Sequence, residues 1–495
     1  MAIKKIVGIE TEYGIAAKGK LSTNPVSASS YLVNCYAHAM FEKNTGWDFT
    51  DEQPGNDARG FLAASSVVPL IETQLINIVL YNGARFYVDH AHPEYSSPEC
   101  GSPLEATLYD AAGQLVLKKA MKKAKETLSE NEEIVVYKNN SDGKGNSYGC
   151  HENYLMDRSV PFSKIVDEIL PFLVTRQIFC GAGKVGSENT KDKVDFQISQ
   201  RADFFEEVVG LETTTKRPLV NTRDEPHSNS EKYRRLHLIL GDANMSQVST
   251  FLKLGTTALV LAMIEDNVFF KGSLRLEDPV RDIKRISHDI ELTYLLKADG
   301  SKEFSALDIQ YLFLEAAQDY VLKGGGEVVG GDEIAKQILE RWENTLEGLS
   351  QDPLSLYKTV DWIAKYRIMD AYRNKHSLNW RSEKLAAIDL QYHDIRDDKS
   401  LFNLANMETL FMESELRVAE KEPPHSTRAY FRGKMLSKWP ANIVSANWDS
   451  IVLDLGGKSL KKIPMLDPMK GTFEIVANLI DETNSVDELI EKLES

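Results

Sequence analysis

Two glutamates two residues apart, Glu10 and Glu12, end an otherwise apolar run in the stretch GIETEYGI, residues 8–15. Residues two apart on a strand share a face, with Cα atoms about 7 Å apart. Carboxylates held that close repel unless a cation sits between them, and a divalent metal suits them. A second acidic group follows in RFYVDHAHPEYSSPE, residues 85–99. A strand through Asp89 puts Arg85, Tyr87 and Asp89 on one face, with Glu94 and Glu99 in a proline-punctuated turn after it. His151 lies in the predicted strand YGCHENY, and His237 in RRLHLIL with Arg235 on the same face. Five carboxylates and two imidazoles in or beside strands suit magnesium or manganese better than zinc. Mg²⁺ is usually held by a few carboxylates plus substrate phosphates, so this many acids point to more than one ion and a nucleotide. The segment 214–235, TTKRPLVNTRDEPHSNSEKYRR, holds six Lys/Arg against three Asp/Glu. With Arg428 and Arg432 of TRAYFRG it offers guanidiniums for phosphates or an acidic partner.

Other signatures fall away on context. GAGKVG, residues 181–186, lacks the Walker spacing. It matches G-x-G-x-x-G, but SENTKDK follows and no apolar helix opens there, so it reads as a turn. There is no G-x-S-x-G elbow, and no cysteine stands in a nucleophile motif.

These side chains need a scaffold of strands backed by helices. Residues 3–16, the pair QLINIVLYN and RFYVDHA, 132–140, 147–156 and 233–244 read as strands. Helices are expected over 27–43, with its first serines as caps, over 104–128, over 246–265 and through most of 306–411. Residues 44–60 carry loop chemistry, and Pro423–Pro424 break the chain before a small C-terminal domain that ends in a helix with a capping box at Ser485–Glu488. Strands followed by a helix-rich half make the class α+β. The chain has 495 residues, 42% hydrophobic and 27% charged, and a net charge of −16. That charge argues against broad nucleic-acid binding. No apolar run approaches the roughly 18–20 residues of a membrane span, so no membrane is expected. The N-terminus lacks an apolar leader, and the four cysteines form no C-x-x-C pair, which fits a reducing cytoplasm.

The order of these motifs resembles the carboxylate–amine ligase fold of glutamine synthetase. An E-x-E strand (Glu10, Glu12) precedes an H-x-E turn (His92, Glu94) with a further Glu99, then a G-x-H strand (Gly149, His151). RRLHLILGDANMSQVSTFLKLGTTALVL then resembles that family's R-R-I-E…A-N strand and helix, with His237 in place of a glutamate. That substitution and GIETEYGI narrow the resemblance to the ligase and deamidase/depupylase family of prokaryotic ubiquitin-like protein (Pup). The likeness covers nearly the whole chain, including DWIAKYRIMDAYR, IDLQYHDI and STRAYFRG. YVDHAHPEYSSPE is similar to the deamidase/depupylase branch rather than to the ligase pattern L-D-V-G-S-H-P-E-Y-A-T. The long stretch 44–72, with PGNDARGF, stands where that branch has its insertion.

The resemblance implies a curved antiparallel sheet packed on helices, glutamine synthetase-like, over 1–425 with an inserted loop at 44–72, and a small C-terminal domain over 426–495. It implies deamidation of the C-terminal glutamine of Pup and cleavage of the isopeptide between Pup and target lysines. The alternative is the Pup–protein ligase. ATP, or ADP plus phosphate, and Mg²⁺ are the implied cofactors, and Pup and pupylated proteins the implied partners; the sequence does not give the oligomeric state, for which a monomer is the expectation. Asp89 is expected to act by direct attack or by activating water. Glu12, Glu94 and Glu99 are expected around one ion, and Glu10, His151 and His237 around another, with Tyr87 as a further metal contact. Arg85 is expected to serve the oxyanion and the nucleotide, which Ser97, Arg223, Arg235, Arg428 and Trp439 also contact. Lys216 and Arg217 are expected to contact Pup.

Overall fold

The computed structural model describes residues 1–19, 24–60, 75–188, 193–268, 274–298, 302–457 and 459–494. Residues 61–72 of the expected inserted loop therefore lie outside the described residues. Eighteen strands are described: β1 (Val7–Glu12), β2 (Gly14–Lys18), β3 (Gly46–Trp47), β4 (Asn77–Val79), β5 (Arg85–Asp89), β6 (His92–Ser96), β7 (Glu133–Tyr137), β8 (Cys150–Asp157), β9 (Lys184–Val185), β10 (Phe196–Gln197), β11 (Phe205–Gly210), β12 (Arg217–Asn221), β13 (Tyr233–Leu238), β14 (Leu295–Ala298), β15 (Lys302–Ser305), β16 (Ile443–Ala446), β17 (Ser450–Leu453) and β18 (Lys461–Pro464). Ten of them form one sheet in the order β13-β8-β1-β6-β5-β4-β3-β16-β17-β18. Every pairing in it is antiparallel except β3 with β16. Helices pack on one face, as the α+β reading requires.

Alternation decides which side chains meet those helices. In β1, Val7 and Ile9 enter the main core, and Thr11 donates to Asp110 on the Pro103–Thr127 helix. Phe86, Val88 and Tyr95 of β5 and β6 enter a second cluster with Leu32, Tyr36 and Val116. Leu236 and Leu238 of β13 are likewise buried. The intervening residues, Glu10, Glu12, Arg85, Tyr87, Asp89, Glu94, His151, Arg235 and His237, are left to the opposite face.

Helix starts follow the capping rules. Asn24, rather than a serine, caps Pro25–Met40 by accepting from Ser27 N at 3.2 Å, and Ser102 caps Pro103–Thr127 by accepting from Glu105 N at 3.1 Å. Each is followed by proline at the first helical position, where a missing N–H costs nothing. The 19-residue helix Gln247–Glu265 corrects the expectation about apolar runs. It is long and apolar enough to cross a bilayer by length and composition, and 94% of its apolar window is buried inside this fold. GAGKVG folds as expected into a turn, with Gly183 and Gly186 at φ 72° and 71° around the short strand β9.

Two regions differ from the sequence reading. Glu94 sits in a strand, because Pro93 lies just past the β1–β6 ladder and its carbonyl accepts from Tyr13 N at 3.0 Å. β5 and β6 thus form a tight hairpin, with Asp89 paired to His92 and His90 at φ 50° in the turn. The segment after residue 425 has its own apolar cluster, built on Phe431, Leu436, Ile451 and Leu489. Trp47 and Val79 join that cluster, and β16–β18 continue the main sheet through β3.

Candidate active site

Register builds the site. Glu10 lies opposite His151 on one side and Ser96 on the other, and Glu12 lies opposite Glu94. His237 is opposite Asn153 on the next strand. Five adjacent strands therefore contribute same-face residues to one patch, although these residues span 85 to 237 and 10 to 12 in the chain.

Two groups of metal-type ligands result. In the first, atoms of Glu10, His151 and His237 lie within 4.8 Å of one another. His151 Nδ1 is 3.4 Å from Glu10 Oε2, and the two imidazole centroids are 4.9 Å apart. Asn153, which the sequence reading missed, donates to Glu10 Oε1 at 2.9 Å and accepts from Arg235 at 2.6 Å. Burial pushes the Glu10 carboxyl up, but the His151 hydrogen bond and the neighbouring His237, His151 and Arg235 outweigh it, so the carboxyl lies well below its ordinary value. Burial, then Arg235, holds the His237 imidazole well below its ordinary value. Neutral imidazole is the metal-binding form, and His237 Nε2 is buried with no hydrogen-bond partner among the described residues.

In the second group, oxygens of Glu12, Asp89 and Glu94 lie within 4.8 Å. Burial and then the Asp89 charge raise the Glu12 carboxyl, and the same two causes raise Glu94 well above the usual range. Asp89 goes the other way. Burial raises it, but His90, with Nδ1 2.8 Å from Asp89 Oδ2, and then His151 and Arg85 bring it below its ordinary value. Asp89 is thus favoured as the ionised member of the cluster, while its two neighbours are pushed toward their protonated forms. His92, the histidine of the H-x-E turn, has Nδ1 3.7 Å from Glu12 Oε2, stacks on Tyr148 at 4.2 Å, and is held down to about 4 by burial. Gly149 permits this closeness. A Cβ there would sit 2.6 Å from Glu12 Oε1 and closer still to His151 Nε2.

Asp89, Glu94, Glu10 and His151 open onto a cavity of about 300 Å³ that Arg85, Tyr87, Arg223 and Glu225 also line. Arg223 Nε is buried there without a partner among the described residues. Burial and the Glu94 charge push the Tyr87 hydroxyl well above its ordinary value.

Several expected residues do other work. Asp89, not Glu99, joins Glu12 and Glu94. Glu99 is held by Arg428, whose Nε is 2.8 Å from Oε1, and by Arg432, which donates to both oxygens. Burial pushes Glu99 up, and the Arg432 and Arg428 charges hold it down at about 2. Arg428 spends its other nitrogens on Met465 O and His227 O, each at 2.7 Å, so it clamps Glu99 rather than presenting a free phosphate donor. Arg235 bridges Glu225 O and Asn153 Oδ1. Ser97 Oγ accepts from Ile9 N and donates to Pro98 O. Trp439 lies in the C-terminal core cluster. Trp448, by contrast, lines a cavity of about 80 Å³ with Ile6, Ser97, Pro226, Arg428 and Pro468. Lys216 is exposed, whereas Arg217 turns inward and donates to Thr213 O and Ser147 O.

The chain matches the Pup-ligase protein family model over residues 5–452. It is 48% identical to a protein of Acidothermus cellulolyticus named depupylase, over 99% of each chain. It is 43% identical to the Pup deamidase/depupylase of Mycolicibacterium smegmatis, over 99% of this chain and 100% of that one. A Pup–protein ligase of Actinosynnema mirum is 36% identical over 96% of this chain and 99% of that one. The fold superposes on the crystal structure of the Pup ligase PafA in complex with Pup, with a TM-score of 0.81 and 29% identity, covering 97% of this chain and 91% of that one. A PafA structure in complex with ADP gives a TM-score of 0.74 and 33% identity, covering 82% and 90%. The chain, with its strand order and its paired acidic groups, belongs to the Pup-ligase protein family.

Proposed function

We propose that this protein is a hydrolase that deamidates the C-terminal glutamine of Pup and cleaves the isopeptide bond between Pup and target lysines. The observation that carries the reading is an ionised Asp89 at the rim of a cavity bearing two guanidiniums, Arg85 and Arg223. Relatives named depupylase or Pup deamidase/depupylase, 43% and 48% identical, support it over the ligase relative at 36%.

Breaking an amide asks for a nucleophile or base, a cationic surface for the oxyanion, and a proton for the departing amine. Asp89, ionised at neutral pH, attacks the carbonyl directly or takes a proton from water. Arg85 and Arg223 face the space where negative charge develops. The donor sets fit Mg²⁺: Glu10, His151 and His237 for one ion, with the orphaned His237 Nε2 as a ligand, and Glu12 and Glu94 beside Asp89 for another. Bound there, the ions supply positive charge that allows the acids to be ionised together and polarises phosphate or carbonyl oxygens. The ADP complex of PafA supports a nucleotide, ATP or ADP plus phosphate, for this chain as well, with the Trp448 pocket as the seat of its base. Four free cysteines favour a reducing compartment, the cytoplasm. Exposed Lys216 is the contact for acidic Pup, and affinity unchanged by Lys216→Glu and by salt would remove it.

Incubation with glutamine-ended Pup separates the readings. A mass gain of about one dalton on Pup, the change from amide to acid, is expected from the hydrolase. No gain, with glutamate-ended Pup instead joined to lysine, identifies a ligase.

A further inference from the structure

The guanidinium of Arg85 is held by aromatic rings from two strands. Its central carbon lies 4.0 Å from the Trp47 ring centroid and 3.9 Å from that of Tyr87, with Phe49 at 5.9 Å. Asn77 Oδ1, on β4, accepts from Arg85 Nε at 2.9 Å. Arg85 therefore has its inner nitrogen tied and its plane covered, and its terminal nitrogens are hydrogen-bonded to no described residue. It lines the cavity that holds Asp89.

Trp47 is itself fixed in place. It is one of the two residues of β3, paired with β16 at Ala446, and its indole Nε1 donates to Glu52. The Trp448 ring meets it edge-on at 5.1 Å, and the guanidinium of Arg432, which grips Glu99, lies 5.1 Å from the Trp448 centroid. Glu52 adds a negative charge beside Arg85. Trp47 and Glu52 both belong to the stretch 44–60, which straps down onto the site. Gln53 N donates to Glu225, and Ala58 N to Thr222 O. A flexible arginine in an open cavity would lose rotamer entropy each time it met an anion. Aromatic faces within 4 Å remove that cost in advance and strengthen in a desolvated setting.

We propose that Trp47 is a positioning residue: its indole holds the Arg85 guanidinium with the terminal nitrogens turned toward the Asp89 cavity, ready for an anionic oxygen of phosphate or of the reacting carbonyl. The inference rests on the hydrolase reading, and its ligand class is a tetrahedral or carboxyl-derived oxyanion. The short strand β3 and the loop that follows it to Glu52 thereby act on the chemistry without touching substrate.

A double-mutant cycle tests it, with kcat and KM for glutamine-ended Pup measured in wild type, Trp47→Leu, Trp47→Phe, Arg85→Lys and Trp47→Leu/Arg85→Lys. Trp47→Leu is expected to lower kcat about tenfold with KM for Pup within about twofold, and Trp47→Phe, which keeps an aromatic face, to stay within about threefold of wild type. In the Arg85→Lys background the leucine is expected to cost less than about twofold, since the residue it positions is gone. An unchanged kcat in Trp47→Leu, or the same loss in both backgrounds, overturns the proposal. A second readout covers a leucine variant that fails to fold: inorganic phosphate titrated with ADP while tryptophan emission is followed. A phosphate-dependent change present in wild type and absent from both Trp47→Phe and Arg85→Lys supports the proposal. No change in wild type, or an equal change in Trp47→Phe, overturns it. If wild type responds to phosphate through Trp47 but never deamidates Pup, the hydrolase reading fails on its own.

Discussion

Replacing Glu94 with glutamine should remove the part of the protein's magnesium-dependent thermal stability that grows with pH. Oxygens of Glu12, Asp89 and Glu94 lie within 4.8 Å of one another. At that distance and an effective dielectric of about 20, each ionised pair costs about 3.5 kcal/mol. Glu94 faces two such partners, so without a cation it keeps its proton, in line with a carboxyl raised well above its usual range by burial and Asp89. The sign follows. Magnesium needs the carboxylate, so binding releases about one proton, and affinity rises about tenfold per pH unit until the cluster's raised value is passed. With magnesium in excess, tenfold in affinity is about 1.4 kcal/mol of added stability. Unfolding 495 residues carries an entropy near 1 kcal/mol per degree, so the magnesium-dependent rise in Tm should grow by about 1.3 °C per pH unit. Calorimetry with magnesium and with chelator, at about pH 6 and about pH 8, reads this directly. In Glu94→Gln the increment should be smaller than in wild type and flat with pH, what remains coming from the Glu10, His151 and His237 site, and the chelated variant should melt no lower than chelated wild type. A magnesium increment that is the same at both pH values in wild type, or undiminished in the variant, would refute the reasoning.

Asp89→Asn keeps the shape of the side chain and removes its charge. Turnover of glutamine-ended Pup should fall by about 10²–10⁴ with Pup affinity retained, and unchanged turnover would remove Asp89 from the chemistry. Gly149→Ala puts a methyl group against Glu12 and His151; activity and the magnesium-dependent Tm shift should both be lost while circular dichroism stays native, and an active variant would show that the crowding is relieved elsewhere. Asp282, on the Pro279–His288 helix, is raised to about 6 by burial, with Tyr294 and Arg281 opposing and Asp278 reinforcing. Its contribution to stability is complete below its unfolded value near 3.8 and is lost as pH rises through about 6. Asp282→Asn should therefore gain about 1 kcal/mol in denaturant unfolding at neutral pH, after allowing for screening, and nothing near pH 4. An equal gain at both pH values would falsify the assignment.

Local pattern carried the sequence reading as far as single strands. Period two put Glu10 with Glu12, and Arg85 with Tyr87 and Asp89, and both placements hold on the same face of the sheet. The same period counted from His151 reaches Asn153, so the residue that ties Glu10 to His237 was within reach of that rule. Strand order was not, because the sequence β13-β8-β1-β6-β5 is set by non-local pairing. That order decides that Glu12 meets Glu94 and that Glu99, three residues past the end of β6, falls to Arg428 and Arg432 instead. Two prolines, Pro93 and Pro98, flank this stretch, and only the second ends a strand; the first is tolerated because it lies beyond the last β1 partner. Trp439 and Trp448 are equally good aromatic contacts on paper. Only the folding of β16 and β17 against β3 puts one in the core and the other at a pocket. Pairing of the Arg85 ring cage was likewise invisible, since Trp47 and Tyr87 are brought together across β3, β4 and β5.

The most direct measurement is anomalous diffraction from crystals soaked in manganese, which takes the same oxygen and imidazole ligands as magnesium. One peak is expected among Glu10, His151 and His237, another between Glu12 and Glu94 beside Asp89, and none at Glu99, which its two arginines occupy. Manganese bound at Glu99, or no density among Glu10, His151 and His237, would contradict the account.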